Sequence, residues 1–298
     1  MMKPLRRFRL NASCPNLPRM EFVLCNEVVR DLEFSAQADL AARLGYAGLE
    51  VAPFTLDALA PHALTGPERA RLKRIARDAG APILGLHWLL VAPAGLSITS
   101  AEPDLRARTL AVMRGLIFLA ADLGAEYLVH GSPGQRRVAA PGDAGRAGEA
   151  IAMAGEWARE AGVTYCLEPL DAGQTNWMTG VAEAAAFTAG LGNPHLRAML
   201  DVCAAGNGEA EAVATLLARH IPGGQIGHVH LNDRNKRAPG QGHDRFAPIL
   251  RALRDAGYAG RCGVEPFEYM PDGATCAARA IGYLDGCMQA ISSDAARG

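Results

Sequence analysis

The sequence has no Cys-x-x-Cys pair. Its seven cysteines stand at 14, 25, 166, 203, 262, 276 and 287, an odd number with no paired spacing. That pattern excludes a zinc ribbon and a disulfide scaffold and reads as the reduced thiols of a cytoplasmic protein. Charge of one sign is not in excess. Thirty basic residues against thirty-one acidic ones give a net charge of −1, so no global positive field exists to hold a polyanion. No apolar run approaches the ~20 residues that span a bilayer. Aromatics are scarce at 6%, and no Gly-x-Gly-x-x-Gly follows the first apolar run, which counts against dinucleotide binding.

What remains is an aliphatic, Ala- and Gly-rich chain of 298 residues in which 49% are hydrophobic. That length supports a large core, burying about three-quarters of the unfolded surface. The first stretch differs from the rest. Lys3, Arg6, Arg7, Arg9 and Arg19 occur without an acidic partner and without an apolar signal core. Residues 1–20 therefore read as a basic N-terminal extension, expected to be poorly ordered, ahead of one domain over 21–298.

From Glu21 onward two patterns alternate. Short apolar runs end in a polar or charged residue: 22–26, 48–52, 82–87, 126–130, 163–168, 196–201, 225–231 and 261–266. Longer amphipathic stretches centre near residues 40, 72, 113, 151, 184, 213, 250 and 281. Glycines at 45, 124, 162 and 257 follow several of the longer stretches, as helix ends require. Eight strand–helix units in this length match an α/β fold of the closed (β/α)8 TIM-barrel type better than an open sheet.

Strands of a parallel barrel should be apolar throughout. Here polar residues gather at their carboxyl ends, the face where barrel chemistry is performed. Glu50, His87, His130, Glu168, Asp201, His230 and Glu265 end strands 2 to 8, and His228 lies two residues before His230. Carboxylates converging on one rim repel each other unless a cation joins them. Glu168, Asp201, His230 and Glu265 come from four consecutive strands and supply three carboxylates and one imidazole. That oxygen-rich set predicts one divalent metal ion, Mn2+, Mg2+ or Co2+, with Zn2+ also admissible. His228 reads as a packed core histidine.

At these residues the sequence resembles the xylose-isomerase-like barrel superfamily of sugar isomerases and epimerases, which also contains endonuclease IV. The matching pieces are Leu44–Glu50, Val129-His130-Gly131-Ser132-Pro133, Leu167-Glu168-Pro169-Leu170, Leu200-Asp201-Val202, His228–Asp233, Pro239-Gly240-Gln241-Gly242, Gly257-Tyr258-Ala259-Gly260 and Val264-Glu265-Pro266. Resemblance to the ketose 3-epimerase branch implies that Glu168, Asp201, His230 and Glu265 bind the metal and that Glu168 and Glu265 are the catalytic acid/base pair. It implies proton abstraction next to the carbonyl of a small keto-sugar through a metal-bound enediolate.

The chain departs from that branch in three places. Ala204 stands where a histidine is usual, Asp171–Asn176 lacks a second glutamate, and the position of the arginine usual before the Pro-Gly-x-Gly turn falls at Lys236 or Arg237. His87, His130, Glu50, Gln174, Arg136 and Lys236 are the candidate substrate contacts. For His87, His130 and Glu50 the alternative is hydrogen bonding that orients the ligands. For Arg136 it is a solvated loop, against binding of a phosphate or carboxylate. Trp88 and Trp177 either pack on the sugar or close the pocket.

Two rival activities use the same barrel, an endonuclease IV-like DNA repair nuclease and a sugar or inosose dehydratase or lyase. A three-metal nuclease cluster lacks ligands here, and the charge balance disfavours nucleic acid. A non-catalytic sugar sensor is a further alternative. Barrels of this type often pair through the helix layer, which leaves a homo-oligomer open.

Overall fold

The eight apolar runs form eight parallel strands in a computed structural model that describes residues 20–295. They are β1 (Glu21–Cys25), β2 (Gly48–Val51), β3 (Ile83–Leu86), β4 (Tyr127–His130), β5 (Thr164–Leu167), β6 (Leu196–Asp201), β7 (Ile226–Leu231) and β8 (Arg261–Val264). Each pairs with the next, and β1 pairs with β8, so the sheet closes on itself. The observed strands lie within the expected runs apart from Glu21, which starts β1 one residue early, and most are one or two residues shorter. The polar residues at 87, 168 and 265 fall just beyond the last paired position, where the chain leaves the ladder for the rim. The basic extension foreseen for the first residues lies outside the described residues.

The amphipathic stretches form the outer layer: α1 (Phe34–Leu44), α2 (Gly66–Ala79), α3 (Pro103–Leu123), α4 (Asp143–Ala161), α5 (Val181–Gly190), α6 (Val202–Gly208), α7 (Val213–His220), α8 (Phe246–Asp255) and α9 (Gly273–Ala295). In α8 the buried residues are Phe246, Ile249, Leu250 and Leu253, the i, i+3, i+4, i+7 stripe that faces a barrel. Each such side chain, fully buried, contributes roughly 1.5–3 kcal/mol. Gly45, Gly124 and Gly162 cap α1, α3 and α4 in the left-handed conformation, where a Cβ would be strained.

The extra helix, α6, was not expected. Asp201 Oδ1 accepts a hydrogen bond from the Ala204 N–H at 2.7 Å. A strand-end aspartate thereby serves as an N-cap, starting a helix directly from β6. Among the described residues, no helix is long and apolar enough to cross a membrane.

Candidate active site

Glu168, Asp201, His230 and Glu265 converge at the carboxyl end of the barrel. One potential ligand atom from each lies within 4.8 Å of all the others, and all four residues are buried. Burial, then Glu265 and Asp201, push the Glu168 carboxyl up to about 8. Burial, then Glu265, push Asp201 up to about 6. These are the marks of carboxyl groups buried and packed together, with His230 only partly offsetting the effect. The donor set of three carboxylates and one imidazole, at this spacing, fits a divalent cation.

The supports beneath and beside this cluster are specific. His230 Nδ1 lies 2.8 Å from Glu265 Oε2, and its Nε2 lies 2.8 Å from Glu50 Oε1. Glu50 Oε2 accepts a hydrogen bond from the Tyr127 hydroxyl at 2.8 Å. Burial pushes the Glu50 carboxyl up, but His230 and His228 outweigh it and hold Glu50 well below the usual carboxylate range. An ionised Glu50 therefore fixes the His230 ring and leaves Nδ1 toward the cluster, the carboxylate–histidine arrangement of metal sites. His228 stacks on Tyr127 with ring centroids 4.0 Å apart and is buried, as a core histidine should be.

Asn232 ties three strands together. Its Nδ2 donates to Asp201 Oδ2 at 2.6 Å and to the Glu265 carbonyl at 3.0 Å, while its Oδ1 accepts from the Cys203 N–H. Gly131 matters by what it lacks. A Cβ there would run into Glu168 Oε2, so the strand-4 turn leaves room for that carboxylate.

A cleft of about 320 Å³ opens above the cluster, lined by His87, Trp88, Ser132, Glu168, Gln174 and Glu265 together with Leu170 and Phe267. Trp88 and Phe267 meet edge to face at 6.3 Å. Trp88 has a positive φ of 52°, a strained conformation for a bulky residue and one that concentrates at functional sites. Gln174 reaches this cleft, its amide donating to Asp171 Oδ2.

Several candidate contacts are placed differently from the sequence expectation. Glu50 is completely buried inside the barrel with both oxygens engaged, one by the Tyr127 hydroxyl and one by His230, which is the placement of the orienting alternative. Arg136 is not a solvated surface group. It is completely buried, and its Nη1 donates to the Glu168 carbonyl at 2.6 Å. From the turn after β4 it reaches inward and braces the backbone of Glu168.

His130 is buried too and shares a 2.6 Å hydrogen bond with the Tyr165 hydroxyl. Burial, and then Arg136, push its imidazole down to about 3, so it is neutral. Lys236 is exposed on the turn after β7, and its carbonyl accepts from the Phe267 and Glu268 N–H groups, joining that turn to the one after β8. Trp177 packs on Phe187 in the helix layer, away from the cleft.

Glu27 escaped the sequence reading. It follows β1 in a 3-10 turn, is buried, and its Oε2 lies 2.7 Å from His87 Nε2. The signal was present, since an acidic residue directly follows the first apolar run.

A closed parallel barrel with this cluster at its carboxyl mouth defines a TIM barrel with a candidate metal site, and the comparisons with known proteins agree on the barrel. The family model described as "Xylose isomerase-like TIM barrel" matches residues 38–287, and the chain belongs to that family. It is 31% identical over 200 residues to L-ribulose 3-epimerase of Mesorhizobium japonicum, covering 66% of this chain and 65% of that one. It is 31% identical over 126 residues to D-psicose 3-epimerase of Agrobacterium fabrum, covering 42% of this chain and 43% of that one. The matched stretches thus span less than two-thirds of either enzyme. The fold is also that of the 3-keto-D-glucoside 4-epimerase of E. coli, with a TM-score of 0.77 at 19% identity over 90% of this chain and 100% of that one. The curated relatives are sugar epimerases, which are isomerases, and this does not favour the nuclease alternative.

Proposed function

We propose that this chain is a divalent-metal-dependent sugar epimerase that inverts a carbon next to the carbonyl of a keto-sugar. The convergence of Glu168, Asp201, His230 and Glu265 in one buried cluster under an open cleft carries this reading. The names of the curated relatives support it.

Glu168, Asp201, His230 and Glu265 hold the cation, which when bound stabilises negative charge developing on the substrate oxygens. Glu168 and Glu265 both line the cleft, so each can face a bound sugar. One removes the proton beside the carbonyl, and the other returns a proton to the opposite side. Acid–base catalysis of this kind contributes about 10²–10⁴-fold. Glu50 holds His230 in the ligating tautomer, and Arg136 and Asn232 fix the backbone and side chains that carry the carboxylates. His87, Gln174 and Ser132 offer polar contacts to sugar hydroxyls, and Trp88 and Phe267 form an apolar wall.

The oxygen-rich donor set favours Mn2+, Mg2+ or Co2+ over softer ions. The free cysteines among the described residues support a cytoplasmic setting. The test is solvent exchange. Metal-loaded protein should move deuterium from heavy water into the position beside the carbonyl of D-psicose or L-ribulose. Glu168→Gln and Glu265→Gln should abolish that exchange. Exchange unaffected in both variants, or independent of metal, would refute the assignment.

A further inference from the structure

We propose that Cys25, Glu27 and His87 form a second divalent-cation site, adjoining the first through Glu265 and suited to a borderline ion such as Zn2+. Cys25 ends β1 and is paired in register with Glu50. Glu27 follows it by two residues, and His87 follows β3. One potential ligand atom from each lies within 4.8 Å of the others, and all three residues are buried.

The hydrogen bonding of this group is incomplete. His87 Nε2 meets Glu27 Oε2 at 2.7 Å. Among the described residues, Glu27 Oε1 and His87 Nδ1 are buried without a hydrogen-bond partner. Buried polar atoms left in that state cost free energy, and a bound cation would satisfy Glu27. His87 Nε2 also lies 3.9 Å from Glu265 Oε1, so the two sites would share a wall.

Charge points the same way. Glu27, Glu50, Glu168, Asp201 and Glu265 are all buried in this end of the barrel. Beside one dication, among the described residues only the buried His87, His228 and His230 lie at ion-pair distance from these carboxyl groups. A second one would displace the proton between His87 and Glu27. The donor types differ from those of the first site. A thiolate, an imidazole and a carboxylate suit Zn2+ or Co2+, and three protein ligands leave a coordination position open. Binding releases the Cys25 thiol proton to solvent, and no redox step is involved.

Cobalt distinguishes the two sites, because only the second contains sulfur. Metal-free protein titrated with Co2+ should take up two equivalents and develop a thiolate-to-cobalt charge-transfer band in the near ultraviolet. Cys25→Ser should lose that band and one equivalent. Glu27→Gln should also lose one equivalent, which guards against a folding artefact in the serine variant, with far-UV circular dichroism on both. Glu168→Gln, which impairs the first site, should retain the band. A single equivalent without the band in the unaltered protein, or a band that survives Cys25→Ser, would overturn the proposal. The second site could fail in this way while metal-dependent solvent exchange persists, so the two readings stand or fall separately.

Discussion

His230 Nε2 and Glu50 Oε1 lie 2.8 Å apart in the barrel interior, which leaves the opposite ring nitrogen of His230 facing Glu265. The pair spans β7 and β2, strands that are not neighbours in the sheet. Replacing Glu50 with Gln keeps its shape but lets the amide donate to the imidazole, favouring the wrong tautomer. Affinity for Mn2+ should fall about 10–100-fold, the usual cost of losing such a partner. Calorimetric titration of the metal-free protein reads this directly, and an unchanged affinity would remove Glu50 from the proposed role.

Gly131→Ala should separate site from fold. The added methyl meets the far end of a flexible side chain, Glu168, and not backbone. The chain should therefore fold normally while the carboxylate is displaced. A misplacement of about 1 Å costs on the order of 10²-fold in rate. Turnover should drop by about that much with the unfolding midpoint nearly unchanged. A large stability loss instead would mean that the turn after β4, not Glu168, absorbs the methyl.

Trp88→Ala should act on substrate binding. Removing one partner of the Trp88–Phe267 pair strips an aromatic wall from the cleft. Such contacts are worth about 1 kcal/mol, or about fivefold in KM. Steady-state kinetics should show KM rising with kcat largely retained. A selective fall in kcat would place Trp88 closer to the chemistry.

Stability of the metal-free protein should fall as pH rises from 6.5 to 8. Burial and then Glu265 raise Glu168 from 4.5 to about 8. Burial pushes His87 down, but Glu27, Glu50 and Glu265 outweigh it and raise His87 from 6.5 to about 9. Both groups bind protons more tightly folded than unfolded, so stability is lost as pH climbs through that window. His130, held at about 3, acts with the opposite sign but only below 6.5. With metal present the trend should weaken or reverse, because protons no longer compete for the ligands. Thermal unfolding with and without a chelator measures both slopes. A midpoint that stays flat or rises without metal would contradict the assignment.

The strand–helix alternation, the closure of the sheet and the convergence of Glu168, Asp201, His230 and Glu265 were legible because each rests on local pattern. Apolar runs ending in a charged residue mark a barrel rim wherever they occur. The burial of Arg136 and Glu50 was not legible because sequence position does not reveal depth. Arg136 stands in a Gly- and Pro-containing turn that looks solvated, yet its side chain folds inward to the Glu168 carbonyl. Glu50 resembles the other strand-end carboxylates, but it lies within β2, while Glu168 and Glu265 lie beyond their strands. Helix α6 was hidden because Asp201 both closes a strand and caps a helix.

The four residues of the first site all come from the β5 to β8 side of the ring, while the carboxylate against His230 comes from β2. A polypeptide severed after α3 would consequently divide the ion's holders from their aligning group. Neither fragment alone would carry the first site together with its aligning group, so recovery of chemistry on mixing the pieces would report correct closure of the whole ring.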